Sequence, residues 1–299
     1  MKASSASTSA KKNDAPRSMF SCPSCATKTP GSFCGKCGEK RVGTDDYSVR
    51  HYLRELAADF TSIDSKLVRS IWFLLSKPGF LSGEYFEGRR VRYIKPLQMF
   101  VFLNVVYYFS LSWFVATTFT TPLATQLHMN NYYPAYAKHQ VELKLQHEGI
   151  RYEALEKKYD ETTGVLSKTL MVVFIPIFAA VFYALFFRKR KYLVENVIVA
   201  THFWSFSLVL LGVILPIIVI AGSGALKWVH VSTSVFTSDA VSSVVLQLCI
   251  GVYLFLMLRR FYRASTWYCF LSASIIAWSF FHLVWLYRFC LLQVTLRAI

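Results

Sequence analysis

Residues 196–221 read NVIVATHFWSFSLVLLGVILPIIVIA and contain no Asp, Glu, Lys or Arg. A bilayer's hydrocarbon core is about 30 Å thick and takes about 20 apolar residues to cross as a helix. This stretch is long enough, and its reading decides the fold: the chain is a membrane protein. Pro216 falls inside it, which a span tolerates when neighbouring groups satisfy the freed carbonyl.

Outward from that segment, four further stretches read the same way: 96–119, 168–187, 240–258 and 267–288. The expectation is an all-α membrane protein of about five transmembrane helices, its membrane domain covering 96–299. Composition agrees. Apolar residues make up 54% of the chain and charged residues 17%, against about 25% in soluble domains. The net charge of +16 is spread unevenly, with 17 Lys/Arg against 9 Asp/Glu in residues 1–95. Two more basic runs, Arg188–Lys191 and Arg259-Arg260…Arg263, separate apolar segments. By contrast, 120–167 holds 5 Lys/Arg against 6 Asp/Glu. Basic loops stay on the cytoplasmic side, so five spans put the N-terminus in the cytoplasm and the C-terminus outside. The exterior loop 120–167 is expected to be helical over 136–160, broken at Gly149. Its His139 and His147, with His128, read as solvated surface groups.

The N-terminal part divides into a disordered arm (1–19), a ribbon (20–42) and an amphipathic, interfacial helical linker (43–95). The first twenty residues are polar, which predicts no cleavable signal peptide. In the linker, Val49, Leu53, Leu56, Phe60 and Ile63 mark one amphipathic helix. Leu67, Val68, Ile71, Trp72 and Leu75 mark a second, stopped by Pro78-Gly79 and too short to cross a bilayer.

The chemistry lies in the ribbon. Cys22-Pro23-Ser24-Cys25 is followed, eight residues on, by Cys34-Gly35-Lys36-Cys37. Each CxxC turn aims two sulfurs at one centre, and two such turns complete the tetrahedral thiolate set that zinc favours. Four sulfurs leave no open position for water or substrate, so the zinc is expected to be structural. So small a module has almost no core and takes its folding free energy from the metal. Lys28, Lys36, Lys40 and Arg41 surround it, but no row of stacking aromatics does, so the expected partner is protein or anionic lipid rather than nucleic acid. Cys249, Cys269 and Cys290 read as small buried hydrophobes.

Before the first span, Arg89, Arg90, Arg92 and Lys95 form a juxtamembrane basic stretch suited to anionic headgroups or a partner, with Tyr85, Phe86 and Tyr93 at the interface. The ribbon, the short helical segment and then Pro78-Gly79, Tyr85, Gly88, Arg90, Tyr93 and Pro96-Leu97 (PG…Y..G.R..Y..PL) resemble an uncharacterised bacterial inner-membrane family, a domain of unknown function. That resemblance covers roughly residues 20–110. It implies an inner-membrane location and a zinc ribbon, and carries no activity or substrate.

Within the spans the polar residues are Asn104, His202, Gln247 and His282. Polar groups at membrane depth suggest either a site or packing between helices. No Walker loop, GxSxG or HExxH is present, and no span carries a carboxylate near its centre. The leading expectation is therefore a non-enzymatic adaptor whose ribbon captures a cytoplasmic partner. The alternative is a small-molecule or lipid transporter using the four intramembrane polar residues.

Overall fold

The structure, a computed structural model, describes residues 19–41, 66–111, 121–128, 133–189, 192–228 and 239–299. Most of the expected arm, the amphipathic helix over 49–63 and the end of the first expected span lie outside the described residues. The ribbon contributes a short antiparallel pair, β1 (Phe20–Ser21) with β2 (Lys28–Thr29), in register Phe20 opposite Thr29.

The rest is helical. Helix α1 (Lys66–Ser76) turns Leu67, Ser70 and Leu74 inward and leaves Val68 and Trp72 exposed, at 76% and 67%. Pro78-Gly79 ends it and α2 (Phe80–Phe86) returns, making a helical hairpin. Gly79 adopts φ 77° with its α-carbon so near the chain that a Cβ would lie 2.7 Å from the carbonyl oxygen of Met257. Only glycine fits there without strain. The hairpin is thus seated against another helix's backbone, and two hydrogen bonds fix it: Tyr253 Oη donates to the Leu74 carbonyl at 3.1 Å, and Arg260 Nη1 to that of Pro78 at 3.3 Å.

Helix α3 (Pro96–Leu111) follows, then α4 (Leu123–His128), α5 (Pro134–Glu148) and α6 (Tyr152–Leu170). A 3₁₀ turn joins α6 to α7 (Phe174–Phe186). Helix α8 (Leu193–Val209) runs through a π turn, Leu210–Ile214, into α9 (Leu215–Trp228). That turn sits beside Pro216, whose missing N–H disturbs the regular ladder there. Helices α10 (Asp239–Tyr262) and α11 (Thr266–Ala298) complete the chain.

Among the described residues, three helical stretches are long and apolar enough to cross a membrane: Leu193–Gly222, Ser243–Tyr262 and Thr266–Ala298. The pair Tyr152–Ser167 and Met171–Phe186, bent by 41°, makes a fourth if counted as one span. Helix α3 is apolar over its 16 described residues, about 24 Å of helix, and the rest of the expected span 96–119 lies outside the described residues. In the bent pair, the expected span 168–187 continues a polar helix rather than starting afresh. On α10 the exposed side chains Val244, Leu248, Val252 and Leu256 recur every fourth residue, and α11 exposes Trp267, Phe270, Leu271 and Trp278. Outward apolar faces of this kind suit lipid, not water.

Among the described residues, two of three apolar clusters do most to hold the helices. The larger one packs aromatic rings between α7, α8 and α11, with Phe174 stacked on Trp204 at 4.4 Å and Phe178 edge-on to Phe203 at 5.1 Å. The smaller core gathers Leu123, Leu127, Val141, Leu155 and Tyr159 around Leu292 and Leu296. It is a cap of α4, α5 and α6 over the last turns of α11. Thr163 Oγ1 donates to Thr295 Oγ1 at 3.1 Å there, and Tyr287 Oη to the Ser167 carbonyl at 2.7 Å. The left-handed Gly149 separates α5 from α6, and His139 and His147 are exposed. Of the three lone cysteines, Cys269 is buried and Cys249 half-buried, while Cys290 is exposed, a departure from the buried reading.

Candidate metal centre

Each cysteine pair sits in the same backbone knuckle. The N–H of Ala26 donates to the Cys22 carbonyl and the N–H of Cys22 to that of Thr27; twelve residues on, Gly38 repeats the first bond to Cys34, and Cys34 the second to Glu39. Both knuckles need a left-handed residue at the turn, Ala26 at φ 57° and Gly38 at φ 74°. The glycine takes that conformation without the cost the alanine bears. The repeat brings the sulfurs of Cys22, Cys25, Cys34 and Cys37 within 4.8 Å of one another, with Cys22–Cys37 and Cys25–Cys34 each at 3.5 Å. A tetrahedron of sulfurs about 2.3 Å from a zinc ion has edges of about 3.8 Å, so the set fits such an ion.

Charge makes the same point. The Thr27 hydroxyl beside Cys25 lowers its thiol to about 6. At Cys37 the Glu39 N–H works in the same direction, but burial and the thiols of Cys22, Cys25 and Cys34 carry it up to about 12. Hydrogen bonds among the sulfurs thus favour a thiolate at Cys25 and a thiol at Cys37. A bound cation would favour the thiolate at every position.

Glu39, the single acidic residue in 20–41, is the ribbon's other functional side chain, and sequence reasoning passed over it. It is 1% exposed. Ser24 Oγ donates to its Oε2 at 2.5 Å, linking the two knuckles across the cysteine cluster. Its carboxylate also accepts the backbone N–H of Arg90 at 3.1 Å and of Val91 at 3.3 Å. A buried carboxylate is costly unless hydrogen-bonded in this way. Arg92 Nη2 adds a bond to the Ser24 carbonyl at 2.8 Å. The signal available in the sequence was one acid directly after a knuckle in an otherwise basic module.

Part of the basic stretch expected to meet headgroups makes bonds within the protein. Arg89 Nε donates to Glu84 at 2.8 Å, and its Nη2 pairs with Glu84 and Glu87. Arg90 Nε donates to the Tyr85 carbonyl at 3.0 Å, with the guanidinium 4.3 Å over the Tyr85 ring. Lys95 closes the loop, its carbonyl accepting the N–H of Met99. Tyr93 lies edge-on to Phe73 and Phe80, and the Ile94 N–H donates to Ser70 Oγ at 3.0 Å.

The intramembrane polar residues do not form one set. His202 is buried, with Nδ1 2.8 Å from Ser82 Oγ of α2. His282 is exposed, its Nδ1 3.2 Å from the Trp278 carbonyl one turn back on the same helix. Asn104 on α3 and Gln247 on α10 are half-buried. A pair the sequence reading missed is Tyr262–Asn196, where Tyr262 Oη donates to Asn196 Oδ1 at 2.6 Å.

Comparison with known proteins touches one part of this arrangement. No curated protein and no solved structure matches the chain. Residues 64–108 match a family described as a protein of unknown function (DUF3667); the stretch runs from the foot of α1 through the hairpin and the Arg89–Lys95 loop into α3.

Proposed function

We propose that this chain is a five-span protein of the bacterial inner membrane that acts as a non-enzymatic adaptor, its zinc ribbon holding a cytoplasmic protein at the membrane surface. The observation that carries the reading is the closed four-sulfur cluster docked by Glu39 onto the loop before α3. With every ligand position filled by sulfur, the ion's work is to shape a surface. Apart from the docked residues, the ribbon exposes Phe33, at 61%, with Lys28, Lys36 and Arg41 in the same short module.

Support for an odd number of crossings comes from the two ends of α11. Its start lies by the Arg259–Arg263 turn and the α1–α2 hairpin, and its end lies in the cap. At 33 residues it is about 50 Å long, so the two ends are a bilayer apart. The basic segments gather at the first end, and the cap, with balanced charge, sits at the second; the first end is then cytoplasmic and the C-terminus exterior. Anionic headgroups are the second proposed partner. Arg69, exposed beside Val68 and Trp72 on the outer face of α1, suits them better than the internally bonded Arg89. The transporter alternative wants converging polar groups; His202 is paired with Ser82 and His282 faces outward, so we do not adopt it.

The test is in-cell crosslinking and co-purification of the wild type beside a variant with Cys22, Cys25, Cys34 and Cys37 changed to Ser, with membrane insertion of both confirmed. A cytoplasmic protein captured by the wild type and lost from the inserted variant is the expected result. Identical capture by both forms ends the adaptor reading.

A further inference from the structure

The ribbon and the loop that leads into α3 are joined by contacts that depend on the two knuckles being held together. Ser24 lies between Cys22 and Cys25, and Glu39 lies two residues after Cys37. The Ser24–Glu39 hydrogen bond therefore spans the metal cluster, one partner from each knuckle. Both partners grip the same short segment of the membrane domain, Glu39 through the N–H groups of Arg90 and Val91, Ser24 through the guanidinium of Arg92. The segment is wired onward. Tyr93 packs against Phe73 and Phe80 of the hairpin, the Ile94 N–H reaches Ser70, and α3 begins at Pro96.

We propose that the ribbon is a metal-dependent clamp on residues 88–95, so that the chain reports metal or thiol state to the foot of its first membrane helix. With the cluster loaded, Ser24 and Glu39 stand at fixed separation and hold the loop. Loss of the ion, or removal of the thiolates that bind it, parts the knuckles. Glu39 then has no reason to stay buried, the two N–H groups lose their acceptor, and Arg92 loses the Ser24 carbonyl. The inference rests on metal binding by the four cysteines and not on recruitment of any partner, so it stands or falls separately from the adaptor role.

The experiment is hydrogen exchange on the full chain in nanodiscs, reading the peptide that contains Arg90 and Val91, with bound zinc quantified in every sample. In zinc-loaded wild type these amides exchange slowly; on zinc removal by chelator we expect at least a roughly tenfold faster exchange at them, reversed on adding zinc back. Glu39→Ala keeps all four sulfurs and removes both acceptor oxygens, so it should retain zinc and yet lose protection at Arg90 and Val91. Arg92→Ala, which leaves the Glu39 bonds intact, should retain both. Unchanged exchange at these amides after zinc is shown to be gone overturns the clamp, as does full protection in zinc-loaded Glu39→Ala. A wild type that takes up no zinc overturns the metal dependence itself.

Discussion

The two ends of this helical bundle are closed by different physics. At one end a ribbon with almost no apolar core is organised by four sulfurs and attached by a buried carboxylate and a few directed hydrogen bonds. At the other, α4, α5 and α6 wrap the tip of α11 around Leu155, Tyr159, Leu292 and Leu296, each buried. Directed contacts fail together when the geometry behind them is lost. Apolar burial weakens in proportion to the area exposed. The ribbon end can therefore be switched by a small chemical event, and the cap can only be eroded.

The sharpest break in the comparison comes from taking the metal away. With zinc bound as proposed, chelation, or Ser at all four cysteine positions, should remove on the order of 10 kcal/mol from the ribbon, since a structural zinc supplies most of such a module's folding free energy. Protease sensitivity within 20–41 should rise to that of an unfolded chain while 133–170 stays as protected as before. Equal loosening of both regions would mean the two ends are not independent. The reverse perturbation is Leu292→Ala, which should cost the cap about 3 kcal/mol through lost burial and the cavity left behind, with zinc content unchanged. Next comes Gly79→Ala, which combines a left-handed backbone with a Cβ pressed on Met257. A loss of about 2 kcal/mol is expected, confined to the hairpin and read as faster exchange over 66–86. Smallest is a pH effect in the cap. The Lys144 ammonium, hydrogen-bonded to Glu148, holds that carboxyl below its ordinary value. Its contribution is complete above the unfolded carboxylate value and fades as pH falls through the folded one. Glu148→Gln should flatten the acid limb of the thermal unfolding curve slightly and leave neutral stability almost unchanged.

Legibility in the sequence followed contact range. The cysteine cluster could be read because each pair is three residues apart and the knuckle is a local structure. The mostly helical, multi-span character could be read because 196–221 and the later apolar stretches run about 20 residues with little or no charge. Glu39 could not, since its partners Arg90 and Val91 lie 51 and 52 residues away and are reached through backbone N–H groups that no residue type announces. The internal partners of the basic stretch were hidden for a related reason: that Arg89 and Arg90 bond to Glu84, Glu87 and the Tyr85 carbonyl follows from the fold and not from residue type. His282 reads like His202 in a uniformly apolar helix, because such a helix carries no polar stripe to tell the outer face from the inner one. Nor does composition reveal that the polar helix α6 runs on into the apolar α7 with a 41° bend.

Helix α11 links these two contrasting ends as one unbroken rod of 33 residues. A straight α-helix bends little over such a length, so rotation at one tip is delivered to the other as displacement. Tilting such a rod by about 5° about the aromatic layer at Phe280 and Trp204, near its middle, would carry each tip about 2 Å sideways, in opposite directions. Leu292 and Leu296 would travel with it and draw the cap along. A helix pivoted in this way would act as a lever between the two ends.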